Sequence, residues 1–368
     1  MKLKQALLCA ALLLCVLALP AFAEAPKGEA NITPEMTMGE IRQNPSIQGS
    51  GICTYIHVWE RDCETLSTSK DDWTLEEAVG PESAESCAAG LNYIIETYNA
   101  GTQVTYKLYT DAEIKEKPSR GHAELNYFPA NRPNAKYAVV LSGNALIYNG
   151  EFRGGASTAW ELHQKGYAVF SLCYRIGWEA GDNAPLEDLA RAIRLITDHA
   201  EEFGVRTEDY ALLGYSSGGQ IAGLFASDSD TLGYKAYGVS KPGALLLGYP
   251  VNNFFELKPV WGLLIDPYAD GPRYFDYNVS DYITPDYPPV YHWYGKNDVT
   301  LAKMYTPAQG RVIEKALVKN GVPHIFHHYH NAPHKIGPGR GTDAEGWITE
   351  AVAFWESQTA AKAADTAA

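Results

Sequence analysis

Residues 209–226 constrain this chain more than any other stretch. Asp209-Tyr210-Ala211-Leu212-Leu213 reads as a buried strand, and Gly219-Gln220-Ile221-Ala222-Gly223-Leu224-Phe225-Ala226 reads as a helix. Between them lies Gly214-Tyr215-Ser216-Ser217-Gly218, the only G-x-S-x-G in the chain. Passing from strand to helix in so few residues demands a sharp turn that crowds side chains on both sides of the serine, hence the flanking glycines. Such a turn holds the Ser216 hydroxyl out at the strand end. The helix N-terminus then brings the Ser217 backbone N–H to any negative charge developing beside it. Taken without its flanks, the motif is also an ordinary glycine-rich strand–helix turn, since three fixed residues recur by chance.

The same alternation extends along the chain. Short β-rich runs occur at 103–110, 123–128, 137–142, 168–174, 210–215, 244–249, 289–294 and 323–330, with helical stretches between the later ones. Glu187 to Phe203 is the clearest helix, with Leu186, Leu189, Ala190, Ile193, Leu195, Ile196 and His199 at near-helical spacing. Strands alternating with helices predict an α/β fold with a mainly parallel central sheet flanked by helices. The opening runs have short connections and predict an antiparallel start. One large domain at 103–357, an N-terminal extension at 24–102 and a disordered alanine-rich tail at 358–368 account for residues 24–368 without a second full domain. Within the extension, Thr74-Leu75-Glu76-Glu77 reads as a helix start and Ala88 to Tyr98 as a helix closed by Gly101. Residues 252–288, rich in Tyr, Phe, Pro and Asp, break the alternation; their length is that of a functional loop.

The opening residues 1–23 read as a secretory signal: Lys2 and Lys4, an apolar run from Ala6 to Leu19, and Ala21-Phe22-Ala23 as a cleavage site. A retained anchor helix is the alternative. Export to the periplasm or beyond is therefore expected, with no stable membrane insertion after cleavage. The formal net charge of −14 disfavours nucleic acid and anionic lipid as partners. Export permits disulfides. Cys173 lies in an apolar run and reads as a buried thiol, whereas any two of Cys53, Cys63 and Cys87 could pair.

A serine hydroxyl needs an adjacent base, which a carboxylate orients. Asp298 follows the strand run Pro289 to Tyr294 through Gly295-Lys296-Asn297, beyond a strand's C-terminal end, where open α/β sheets bind ligands. Asp266, Asp276, Asp281 and Asp286 compete but follow no comparable strand. Of His324, His327, His328, His330 and His334, only His334 lies in a loop past the strand, in Asn331-Ala332-Pro333-His334-Lys335-Ile336-Gly337. The histidine cluster could also be read as a metal site, but no carboxylate or cysteine joins His328 and His330 at a ligand spacing. No metal and no cofactor are expected. A glycine-bearing turn, Leu141-Ser142-Gly143-Asn144-Ala145, follows the run Tyr137 to Val140, where backbone N–H groups can face an oxyanion.

Taken together, several segments resemble the acetyl-esterase and feruloyl-esterase-like branch of the α/β-hydrolases. They are Glu187-Asp188-Leu189-Ala190-Arg191-Ala192-Ile193, Leu213 to Gly219, Gly166-Tyr167-Ala168-Val169-Phe170, Tyr174-Arg175-Ile176-Gly177, Pro288-Pro289, Ala344-Glu345-Gly346-Trp347 and Ala351 to Trp355. The resemblance covers about residues 103–357. It implies an α/β-hydrolase fold, a triad of Ser216, Asp298 and His334, and an oxyanion hole of the Asn144, Ala145 and Ser217 N–H groups. Two positions depart from that pattern: Gly143-Asn144-Ala145 replaces a run of glycines, and Lys335 replaces the glycine after the histidine.

The expected activity is hydrolysis of carboxylic esters, small or on a glycan, through an acyl-enzyme. The aromatic residues Phe254, Phe255, Trp261, Tyr268, Tyr274 and Phe275 could stack on sugar rings of a plant polysaccharide, or simply pack their loop. A serine peptidase of related fold and a non-catalytic binding protein are the rival readings.

Overall fold

The computed structural model describes residues 26–52, 70–143, 146, 154–252, 277–299 and 306–367. The signal sequence, Cys53, Cys63, Asn144, Ala145 and the aromatic residues of the 252–288 stretch named above lie outside these.

Eight strands form one sheet: β1 (Thr105–Lys107), β2 (Glu124–Phe128), β3 (Tyr137–Leu141), β4 (Ala168–Cys173), β5 (Ala211–Tyr215), β6 (Ala244–Gly248), β7 (Val290–Gly295) and β8 (His324–Tyr329). Their order is β1-β2-β4-β3-β5-β6-β7-β8. β1 and β2 pair antiparallel, as does β2 with β4; every pairing from β4 to β8 is parallel. The strands are apolar at consecutive positions because both faces are covered. Val139, Leu141, Leu212, Leu245 and Leu247 point into one core, while Ala138, Val140, Leu213 and Leu246 point into the other.

Among the described residues, the helices of eight or more residues are α1 (Pro81–Asn99), α2 (Ala156–His163), α3 (Ala184–Asp198), α4 (Ser216–Phe225), α5 (Thr306–Asn320) and α6 (Trp347–Ala367). On the first face, α3 contributes Leu186, Leu189, Ile193 and Ile196, α4 contributes Ile221, Leu224 and Phe225, and α5 contributes Ile313 and Leu317. The second face is covered by α1, α2 and α6 and by Ile32, Met38, Ile41 and Leu75 from the residues before α1. The extension thus shares a core with the sheet. Among the described residues no helix is long and apolar enough to cross a membrane.

Three elements differ from the sequence reading. α1 begins at Pro81, seven residues before Ala88, because Ser83, Ala84, Ser86 and Cys87 are buried yet too small to write a strong apolar stripe. They are small because α1 lies close on α2: a β-carbon on Gly90 would fall 2.6 Å from the Ala156 carbonyl oxygen. α3 runs from Ala184 rather than Glu187, with Pro185 in its first turn, and stops at Asp198, where His199 leaves helical geometry (φ −113°, ψ 26°). Phe203 is buried from a following turn instead. Finally, α6 continues through Ala367, past residue 357 where order was expected to end. Alanine favours helix, and Thr359, buried, accepts a 2.6 Å hydrogen bond from Lys136 Nζ. Thr74 caps its helix as expected, through a reciprocal capping box with Glu77. Cys173 and Cys87 are buried.

Candidate active site

Ser216 opens α4 directly after β5. Its φ is +49°, in the left-handed region that costs a non-glycine residue about 1–3 kcal/mol and that recurs at functional turns. The turn is held by contacts that tolerate no side chain around the serine. A β-carbon on Gly218 would lie 2.3 Å from the Leu141 carbonyl oxygen, and one on Gly214 would lie 2.7 Å from the Gly218 carbonyl oxygen. One on Gly143 would lie 2.7 Å from Ser216 Cβ, so the end of β3 is seated against the Ser216 turn. Val251 N–H, just past β6, donates to the Ser216 carbonyl at 3.0 Å.

The loops after β7 and β8 bring the other two predicted residues to this serine. His334 Nε2 lies 3.0 Å from Ser216 Oγ, and His334 Nδ1 lies 2.9 Å from Asp298 Oδ2. Asp298 is buried, at 1% exposure, so it reaches the imidazole out of competition with water. A carboxylate only accepts; Nδ1 therefore carries the proton donated to Asp298, which leaves the Nε2 lone pair to accept from the serine O–H. The ring of His334 packs against Tyr249, centroids 4.5 Å apart.

Several of the remaining sequence candidates are engaged elsewhere. Asp281 accepts from Asn278 Nδ2 and Asp286 pairs with Lys241, while Asp266 and Asp276 lie outside the described residues. His324 meets Glu314, His327 meets Glu350, and His330 N–H donates to Asp343. His330 lies just past the end of β8. Among the described residues no group of three or more His, Cys, Asp or Glu side chains is placed to hold a metal.

Of the three oxyanion candidates, Ser217 is described. It is buried in the first turn of α4, where the amides of a helix start face outward. Asn144 and Ala145 lie outside the described residues. Sequence reasoning missed Tyr174, whose hydroxyl donates to the Ser142 carbonyl at 2.5 Å and is hydrogen-bonded by the Ser217 side chain. One phenol thus ties the turn after β3 to the start of α4, and burial raises its pKa, keeping it protonated and able to donate.

Next to it, Arg175 and Asp188 form a fully buried pair at 2.7 Å, with the Arg175 amide and the Tyr109 hydroxyl also donating to Asp188. The signal for this network was an aspartate inside the apolar stripe of α3, which calls for a buried partner.

A mainly parallel sheet whose fifth strand ends in a strained serine, with an aspartate and a histidine delivered by the loops after the seventh and eighth strands, has the α/β-hydrolase fold. In this chain, residues 126–241 match the BD-FAE family. An acetylxylan esterase of Xylanibacter ruminicola is 26% identical over 138 residues, which are 37% of this chain and 27% of that protein. An endo-1,4-beta-xylanase B of Butyrivibrio fibrisolvens is 24% identical over 155 residues, 39% of this chain and 24% of that protein. The chain thus spans about a quarter of the length of these curated relatives. Among solved structures, an acetyl ester-xyloside bifunctional hydrolase from Caldicellulosiruptor lactoaceticus aligns with a TM-score of 0.58 at 20% identity, covering 69% of this chain and 95% of its own.

Proposed function

We propose that the chain is an exported serine esterase that removes acyl groups, acetate foremost, from plant polysaccharides or their fragments. The observation that carries the reaction type is the continuous hydrogen-bond path from Asp298 through His334 to Ser216, at 2.9 and 3.0 Å. Acetate on a xylan-like glycan is supported by the names of the relatives, an acetylxylan esterase and an acetyl ester-xyloside hydrolase. Export is supported by the signal-like opening of the sequence.

In this reading Ser216 Oγ attacks the ester carbonyl carbon while its proton passes to His334 Nε2. Asp298 holds the imidazole in the right tautomer and stabilises its charged form. The oxyanion meets the Ser217 N–H and backbone N–H groups of the turn after Ser142, a donor set in which each member typically contributes about 3 kcal/mol to the transition state. The intermediate collapses as His334 protonates the departing alcohol oxygen. Water, deprotonated by His334, then attacks the acyl-enzyme and releases the acid and Ser216.

The test is p-nitrophenyl acetate hydrolysis and acetate release from acetylated xylan by the wild type and Ser216→Ala. Hydrolysis of both by the wild type and of neither by the variant is expected, together with fluorophosphonate labelling at Ser216. Equal rates in the two proteins would remove Ser216 from the chemistry. Ester turnover without acetate release from any glycan would leave an esterase of a different substrate class.

A further inference from the structure

Resting on that reading, we infer that the N-terminal extension positions the catalytic imidazole. The loop from His334 to Arg340 is irregular: Lys335 and Gly337 both have positive φ, +72° and +54°. An irregular loop keeps one geometry only if its neighbours hold it. Two supports come from the hydrolase core. Gly337 N–H donates to Tyr249 Oη at 3.3 Å, and Trp347 Nε1 donates to the Gly337 carbonyl at 2.9 Å.

The third side of the loop is covered by α1 of the extension. Ser83 Oγ, buried, donates to the Ile336 carbonyl at 3.3 Å, and a β-carbon on Gly337 would lie 2.9 Å from Ser83 Oγ. Ile336 itself is buried in the core shared with α1. One turn on, Arg340 spans Glu85 on α1 at 2.8 Å and Glu161 on α2 at 2.9 Å, and Ser86 of α1 donates to the same Glu161 at 2.7 Å. The Arg340–Glu85 pair is exposed and contributes little; the buried Ser83 contact sets the position. The first turn of α1 therefore touches the loop two to six residues beyond the catalytic histidine. Without it the backbone at Ile336 and Gly337 loses the surface it rests on, and His334 loses its fixed distance to Ser216.

The experiment uses the full chain. Ser83→Ala removes one hydroxyl and leaves the helix intact; Arg340→Met alters a half-exposed side chain and leaves the buried contact in place. Ser83→Ala is expected to lower kcat roughly tenfold with KM little changed, the pattern of a displaced catalytic group. Arg340→Met should do the same to a smaller degree. The decisive measurement is each change made in a His334→Ala background, where a residue acting through His334 has nothing further to lose. Unchanged kcat in both single variants, or an undiminished effect in the His334→Ala background, would overturn the inference. Wild-type hydrolysis abolished by Ser216→Ala is read separately, so a failed positioning role is distinguishable from a failed reaction assignment.

Discussion

Gly295 and Ala332 are in backbone contact: a β-carbon on Gly295 would lie 1.6 Å from the Ala332 carbonyl oxygen. Gly295 ends β7 three residues before Asp298, and Ala332 precedes His334 by two. The absent side chain is thus what lets the two loops converge. Gly295→Ala must push them apart. A displacement near 1 Å is expected to lower kcat/KM about 100-fold, with a stability loss of about 1–3 kcal/mol for the overpacked contact. Steady-state kinetics beside a urea titration checks both, and wild-type kinetics would contradict the argument.

Tyr174→Phe removes the hydroxyl that ties Ser142 to Ser217. With the triad untouched, the oxyanion donors lose register, so kcat should fall roughly tenfold while KM holds. Binding of a boronic acid transition-state mimic should weaken in proportion. A rise in KM alone would instead assign Tyr174 to substrate binding.

Lys335 occupies a left-handed conformation, φ +72°, directly after His334. Glycine adopts that geometry without steric cost. Lys335→Gly should therefore be neutral or stabilising by up to about 1 kcal/mol, whereas β-branched Lys335→Val should be destabilising. Thermal melts of the three proteins decide it; Val melting as high as Gly would deny the strain.

His292 on β7 is fully buried, stacked on Phe326, with Nε2 3.3 Å from Glu314. Burial pushes its pKa below the ordinary histidine range; Glu314 opposes the shift and His324 and His328 add to it. The unfolded chain takes up this proton near pH 6.5 and the folded chain at lower pH. The unfolded state therefore binds more protons below about pH 6.5, and stability is lost as pH falls from there toward the folded pKa. Urea midpoints should drop between about pH 8 and pH 5.5 in the wild type and less so in His292→Phe. Parallel curves would locate the acid sensitivity elsewhere.

Much of the molecule was legible because its signals are local. Seven of the eight strands fall within the β-rich runs and β7 overruns its run by Gly295 alone, and the order Ser, Asp, His with strand-end positions sufficed to select three residues that meet in space. What sequence could not show depends on surroundings. The start of α1 was hidden because its buried residues are small, and they are small only because α2 is near. The role of Tyr174 rests on a backbone carbonyl 32 residues away in the chain, and that of Ser83 on one 253 residues away; neither leaves a local pattern. At the tail, low complexity reads as disorder, whereas alanine is the best helix former and Thr359 accepts a hydrogen bond from Lys136.

The sheet divides the protein into two cores, and Ser216 and His334 are anchored on opposite sides of it. The serine's helix is seated through Ile221, Leu224 and Phe225 on one side. The histidine's loop is seated through Ala332, Ile336 and Trp347 on the other. Softening either layer by warming is enough to lengthen the oxygen–nitrogen separation, so heat should silence turnover before it melts the strands. Resistance to heat inactivation therefore depends on whichever layer loosens first.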